Sequence, residues 1–229
     1  VAAGPVTVVL LADIEARHRL WGWSRFVITR SRLRRTPGLR FGKFLGSGHE
    51  GGFGLQPSAS VQGLFCVFDD AQSAQAFVAA DGPAQAWRER SREWFCCQLR
   101  AYSSRGSWSG RSLPASAEPP SEGPVASLTR ASIRPAKARD FWRMQPPAER
   151  SLAQASGVIL AAGVGEAPVF RQATFTLWDS VASMDAYSRS GAHSGAIAAA
   201  YAGGFFSESM FVRFVIDAAQ GSWKGRRFA

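Results

Sequence analysis

Cysteine is scarce in this chain: Cys66, Cys96 and Cys97 are all there is. They form neither a C-x-x-C pair nor an even-numbered framework, which excludes a disulfide-stapled scaffold and a cysteine-built zinc site and suits a reducing cytoplasm. Histidine is equally rare, at His18, His49 and His193. With scattered carboxylates, these give no three-His or two-His-one-carboxylate metal set at helical spacing. No nucleophile-elbow motif supports Ser/His/Asp catalysis. No signal-peptide pattern opens the sequence and no apolar run approaches bilayer length, so the expected location is cytoplasmic. Acidic residues are missing from one long stretch: residues 17–43 carry eight Arg and one Lys with no Asp or Glu, in a chain of formal net charge +10.

That basic stretch, RHRLWGWSRFVITRSRLRRTPGLRFGK, interleaves Trp21, Trp23, Phe26 and Leu33 among its cations. One reading is a core helix whose solvated face is basic. A second is a peripheral contact with an anionic membrane surface. Contact with nucleic acid is the third, but no nucleic-acid-binding motif accompanies the charge, so no such partner is expected.

What is present in abundance is internal similarity. RGSWSG at 105–110 returns as QGSWKG at 220–225. Upstream, PVTVVLLADI (5–14) parallels PVASLTRASI (124–133), LGSG (45–48) parallels AGVG (162–165), and FDDAQSAQAF (68–77) parallels WDSVASMDAY (178–187). A period near 110 residues is too long for a solenoid and fits a duplicated small domain. Each half reads β-α-β-β-α-β, with strands predicted at Val6–Leu11 and Ser127–Ile133, helices over 14–35 and 136–156, and clear strands at 61–68 and 169–178. Asp69 and Asp179 are the expected N-caps of the following helices. This is the ferredoxin-like split unit, whose helices cover one sheet face and leave the other in need of a partner. The expected fold class is therefore α+β: two tandem ferredoxin-like βαββαβ copies closing on each other as an intramolecular dimeric α+β barrel. Residues 1–110 form the first copy, the Pro/Ser/Glu-rich 111–123 a linker, and 124–229 the second copy. GSWxG is expected to end the last strand of each copy, its Trp packing over a barrel edge.

GSGHEGG at 46–52 satisfies G-x-G-x-x-G, but a dinucleotide site needs a helix to start at those glycines. Gly54 and Pro57 follow, so a loop is predicted instead. His193 is the informative histidine. It stands in SGAHSGAIAAAY, where small neighbours let something bulky and flat approach the backbone. A neutral imidazole there suits a proximal haem ligand, and equally a tightly packed helix with a stray histidine. The first copy has Pro83 and Ala84 at the equivalent place. Cys66, predicted mid-strand, reads as a small buried hydrophobe rather than a haem thiolate.

RTPGLRFGKFLGSG, RGSWSGRS, LTRASIRPAKARDFW, GVGEAPVFRQATFTLWDSVASMDAY and GAHSGAIAAAYAGGFFSESMFVRF together resemble the spheroidene monooxygenase family, the acyclic carotenoid 2-ketolases, in order from about Thr7 to Gly225. The resemblance implies a haem b (iron) monooxygenase that takes O2 and electrons from a ferredoxin-type donor. It implies hydroxylation at C2 of a linear carotenoid, and a ketone after a second round. His193 falls at the family's proximal position and becomes the metal ligand; Ala192 stands where proline is expected. Arg130, Arg134, Arg171 and Arg213 are the candidate cations for the haem propionates. Phe205 and Phe206, with Phe170, Phe175 and Trp142, are candidates to line the slot. The same barrel and haem would also serve aldoxime dehydration, peroxide-dependent oxidation, or a haem carrier or sensor.

Overall fold

A computed structural model describes residues 4–229 except 34, 53, 55, 168 and 190; for 29–32, 50, 144–148, 191–194, 196 and 197 it describes the backbone alone. The elements run β1 (Val6–Ile14), α1 (Arg19–Leu33), β2 (Leu39–Gly48), β3 (Pro57–Phe68), α2 (Ala71–Val78), α3 (Gln85–Arg88) and β4 (Ser91–Gly106). The same order then repeats: β5 (Val125–Ile133), α4 (Ala138–Ala153), β6 (Val158–Ala167), β7 (Arg171–Trp178), α5 (Val181–Arg189), α6 (Gly191–Ala202) and β8 (Phe206–Trp223), with a short β9 (Arg226–Phe228) added. The basic stretch after β1 is thus mainly a helix, preceded by a 3-10 turn at Ala16–His18.

The strands join in the order β4-β1-β3-β2-β6-β7-β5-β8-β9, and β4 also pairs with β8, so eight of them close into a ring. Closure removes the exposed edges that an open sheet must otherwise protect. The two seams are unequal. β4 and β8 pair from Phe95↔Gly221 to Gly106↔Met210, whereas β2 meets β6 only at Gly46↔Gly165 and Ser47↔Val164. Side chains reinforce the short seam. Ser47 Oγ donates to Gly163 O, and Lys43 Nζ lies 2.6 Å from Glu166 Oε1.

Alternation along each strand sends one face into the barrel. Val9, Leu11, Phe65, Phe95, Leu128, Phe175 and Phe214 all meet there in one buried cluster. The other face lies under the helices. β1 is buried along its whole length because it is covered on both sides, which is why VTVVLLADI is nearly continuous in apolar residues.

Three expectations need correction. The helix caps lie one residue later than predicted. Asp70 accepts from Ser73 N at 2.8 Å and Ser180 Oγ from Ser183 N at 3.1 Å. Asp69 and Asp179 instead direct their backbone N–H to Gly38 O and Gly157 O, both at 2.8 Å. The second helix of each unit is in two pieces, Gly82 and Pro83 falling between α2 and α3. The Gly-Ser-Trp phrase is a tight turn, and in the second copy it does not stop the sheet. Ser109/Gly110 and Lys224/Gly225 all have positive φ, the backbone twist of a two-residue hairpin loop. Trp108 faces Arg111 across one turn and Trp223 pairs with Arg226 of β9 across the other. Both indoles are buried with the barrel-interior cluster rather than over its edge. Each turn is held by a carboxylate from the other copy: Glu208 accepts from Gly110 N, and Glu93 accepts from Lys224 N and Gly225 N, all at 2.8–2.9 Å.

Candidate functional site

Strand registers place the two copies in correspondence. Val8 pairs with Cys66 as Ser127 pairs with Thr176, and Leu10 pairs with Leu64 as Thr129 pairs with Thr174. Along the last strands, Leu10 pairs with Cys96 as Thr129 pairs with Phe211, and Val8 with Gln98 as Ser127 with Arg213. Every one of these side chains is on the face that meets the helices. In the first copy the face is greasy and filled: Val8, Leu10, Leu64, Cys66 and Cys96 pack under Phe77, Trp87 and Leu33. Burial raises the Cys66 thiol far above its usual range and that of Cys96 to about 12, so these are packing groups and not thiolate ligands.

In the second copy the matching buried cluster, among the described residues, is Val125, Leu152, Trp178 and Met184. A cavity of about 690 Å³ takes the remaining space, within the span of about 300–1,000 Å³ usual for small-molecule sites. Its floor is hydroxyl-bearing: Ser127, Thr129, Thr174 and Thr176 of β5 and β7. Ser127 and Thr176 bond to each other at 2.7 Å, and Trp178 Nε1 donates to Thr176 Oγ1 at 2.8 Å. Thr129 and Thr174 stand as a facing pair on the cavity floor. The walls and roof come from α4, α5, α6 and β8. Phe206 stacks edge-on to Phe141 and Tyr201, with centroids 6.0 and 5.8 Å apart. Trp142 reaches the cavity with its Nε1 donating to Val169 O at 3.0 Å. At another part of the lining, Tyr187 has its phenol pushed up to about 12 by burial, so it stays a neutral donor at physiological pH.

The residues singled out from sequence separate into distinct environments. Arg213 and Phe206 line the cavity, Arg213 also bonding to Asp185 Oδ1 at 2.6 Å. Arg134 is exposed, its Nε on Phe206 O at 3.2 Å, and Arg171 is exposed at the start of β7. Phe205 is buried beneath Lys137, whose Nζ is 5.7 Å from the ring. Phe175 points into the barrel and Phe170 to solvent. His193 is carried by α6, which roofs the cavity through Ala200 and Tyr201; its side chain lies outside the described residues. Among the described residues no group of three or more His, Cys, Asp or Glu is placed to hold a metal ion. His49 is exposed in a 3-10 turn at His49–Gly51, where the glycine-rich motif opens no dinucleotide-type helix.

Arg130 takes the opposite face from Thr129. It is almost wholly buried, held between Glu208 Oε2 and Glu166 Oε2, with its guanidinium 5.5 Å over the Trp108 ring. Trp108 Nε1 donates to Glu166 at 2.7 Å. The cluster therefore draws on both copies and closes beside the short β2–β6 seam. Burial alone would raise both carboxyls. For Glu208 the Gly110 amide, the Ser107 hydroxyl, the Ser109 amide and Arg130 override it, setting the carboxyl at about 2 against an ordinary 4.5. Glu166 is also lowered, by Lys43, Trp108 and Arg130. A carboxyl depressed by folding stabilises the fold above its unfolded pKa and loses that contribution as pH falls toward the folded one. Thermal melts should therefore be flat above about pH 4.5 and decline between about 4.5 and 2, and Glu208→Gln should flatten that limb.

Sequence reasoning missed the threonine floor, although the signal was there. PVTVVLLADI and PVASLTRASI, laid over each other, exchange Val8 for Ser127 and Leu10 for Thr129 at alternate positions. The arrangement suits one large, mainly apolar ligand lying flat between sheet and helices, with hydroxyls below it and the cations Arg105 and Arg213 in its lining. Room, aromatic walls, Arg213 and Arg105 fit a porphyrin with carboxylate substituents; of the other proposed arginines, Arg130 borders the cavity but has its guanidinium held by Glu166 and Glu208, and Arg134 and Arg171 are exposed outside it.

No protein-family model matches the chain. It is 52% identical over 227 residues to a spheroidene monooxygenase of Rubrivivax gelatinosus, covering 99% of this chain and 88% of that protein. It is 35% identical to the spheroidene monooxygenase of Rhodobacter capsulatus, covering 97% and 94%. Among solved structures an aldoxime dehydratase in complex with butyraldoxime superposes with a TM-score of 0.60 at 11% identity, over 94% of this chain and 80% of that one, a likeness of fold.

Proposed function

The chain belongs to the spheroidene monooxygenase family, and we propose that it is a carotenoid monooxygenase whose reaction takes place in the cavity beneath α4, α5 and α6. The observation that carries this reading is the difference between the copies. The same layer is solid with apolar side chains in the first and open by about 690 Å³ in the second. Packing alone gives no reason for one copy to forgo its core, since apolar burial is the main source of stability.

The finer reading is haem-dependent ketolation at C2 of an acyclic carotenoid. Haem b, when bound, supplies dioxygen activation. His193, from α6 on the roof, would ligate its iron, and Arg213 would meet a propionate with the part of its guanidinium not taken by Asp185. Phe141, Trp142, Phe206 and Phe211 give the chain end of a polyene an apolar bed and keep bulk water out. The hydroxyl floor holds mobile protons at Thr129 and Thr174, and Tyr187 adds a neutral donor. Each round puts one oxygen atom of O2 into a C2–H bond and releases the other as water, consuming an electron pair from a ferredoxin-type donor and two protons. A second hydroxylation at the same carbon gives a geminal diol, which loses water to the ketone. Contact with the membrane that holds the carotenoid completes the scheme.

Haemin titration of the purified protein tests the cofactor. A Soret band should form, and it should shift in His193→Ala while His18→Ala and His49→Ala match the parent. Protein that takes up no haemin, or a band indifferent to residue 193, would refute the haem assignment. Co-expression in a host making linear carotenoids tests the reaction: a keto-carotenoid dependent on O2 and reductant is expected, and its absence would refute the ketolase reading.

A further inference from the structure

We propose that the outward stripe of α1 is a docking surface for an anionic lipid bilayer. Leu20, Trp23 and Val27 lie at i, i+3 and i+7, the spacing of one helix face, and are 79%, 51% and 80% exposed. Large apolar side chains so open are normal singly, but grouped on one helix face they mark a binding surface. The helix does not need them for its own packing. Trp21 stacks on Trp87 at 5.5 Å, Leu33 is buried, and Phe26, itself half exposed, rests on Phe44 of β2 at 4.6 Å, so the inward contacts are made by other residues. Trp23 is tethered, its Nε1 donating to Ala59 O at 3.1 Å, which holds the indole at the surface at little entropic cost.

The charge around the stripe chooses the occupant. Residues 17–43 hold nine cations and no acid. Lys43 and Arg40 are held by Glu166 and Asp69 and Arg25 is buried over Trp21, while Arg17, Arg19 and Arg35 are exposed at the two ends of α1, Arg17 beside Glu15. An apolar stripe inside a basic field matches a bilayer carrying anionic headgroups, with Leu and Val entering the acyl boundary and Trp at headgroup level. Nucleic acid would use the cations but leave Leu20 and Val27 in water. A second copy of the chain would bring two strongly basic faces together. No helix among the described residues is long and apolar enough to cross a membrane, so the contact is a lateral one. The surface deepens the proposed function by supplying an approach to a membrane-held polyene, but it is argued from α1 alone.

The test is co-sedimentation of the full chain with vesicles of phosphatidylglycerol mixed with phosphatidylcholine, against phosphatidylcholine alone. Binding should require the anionic lipid, weaken with added salt, and fall about tenfold or more in Leu20→Ser/Val27→Ser, whose two sites are too exposed to disturb folding. The variant should keep the parent's circular dichroism and its turnover of carotenoid in detergent micelles. Failure to sediment, equal binding to neutral vesicles, or a double variant that binds like the parent would overturn the proposal. So would a single-stranded oligonucleotide that displaces the vesicles, or a dimer in the ultracentrifuge that the double variant abolishes. Absent carotenoid turnover in the parent would count against the proposed reaction and leave the vesicle result standing.

Discussion

Thr129→Leu combined with Thr174→Leu should abolish turnover, by about a hundredfold or more, while making the protein harder to melt. The pair faces each other across β5 and β7 on the cavity floor, and the first copy holds Leu10 and Leu64 at the same two places. Two isobutyl groups there would lift any flat ligand off the floor, and a displacement of about 1 Å from the reacting geometry already costs about a hundredfold. The same groups enter space that is now empty. Each should gain up to about 1–2 kcal/mol of apolar burial, raising Tm by about 2–4 °C per kcal/mol in a chain of this size. Opposite movement of activity and stability is the diagnostic result, read from haemin affinity, keto-carotenoid yield and a melting curve. A variant that melts lower and is equally active would show that the floor serves packing only.

Arg130→Met carries the largest expected loss of stability. The guanidinium is buried between Glu166 and Glu208, with 3% of its side chain exposed. Removing one member of a buried charge cluster strands the others, typically at about 3–5 kcal/mol. Here the stranded groups are two carboxylates beside the short β2–β6 seam, so the barrel should open there first. Urea denaturation should show a loss of unfolding free energy of that size, read from the midpoint at constant m. The triple variant Arg130→Met/Glu166→Gln/Glu208→Gln, which removes the charges together, should recover most of it. A single variant within about 1 kcal/mol of the parent would mean that the cluster contributes little beyond its own desolvation. Because Arg130 lies across the strand from the threonine floor, haemin uptake by the folded fraction should change far less than in Thr129→Leu/Thr174→Leu.

Both predictions concern neighbouring residues of β5, and they show where sequence reasoning stopped. Thr129 and Arg130 are consecutive, yet one belongs to the cavity and the other to the barrel interior. Period-two alternation says that they point apart but not which way, because that choice depends on the pairing partner and on the bulge near Ser132/Ile133. Arg130 therefore could not be told from Arg213 as a cavity cation before the strands were registered. The caps were misplaced by one residue for a related reason. An aspartate and its neighbour, Asp69 and Asp70 or Asp179 and Ser180, both suit a helix start, and the hydrogen bonds to Gly38 and Gly157 decide which one turns the corner.

The linear chain on its own settled the order of elements, the repetition of that order, the barrel it implies, and the family. Those follow from local properties: the apolar run VQGLFCVF, polar helix-starting residues after each such strand, and a repeated phrase whose closing Gly110 and Gly225 take positive φ. The three-dimensional structure alone decided which copy is hollow and which cations line the hollow. A cavity is a deficit between two packed layers, so it depends on every side chain that faces the gap from sheet and helix together, and no single stretch of residues contains it.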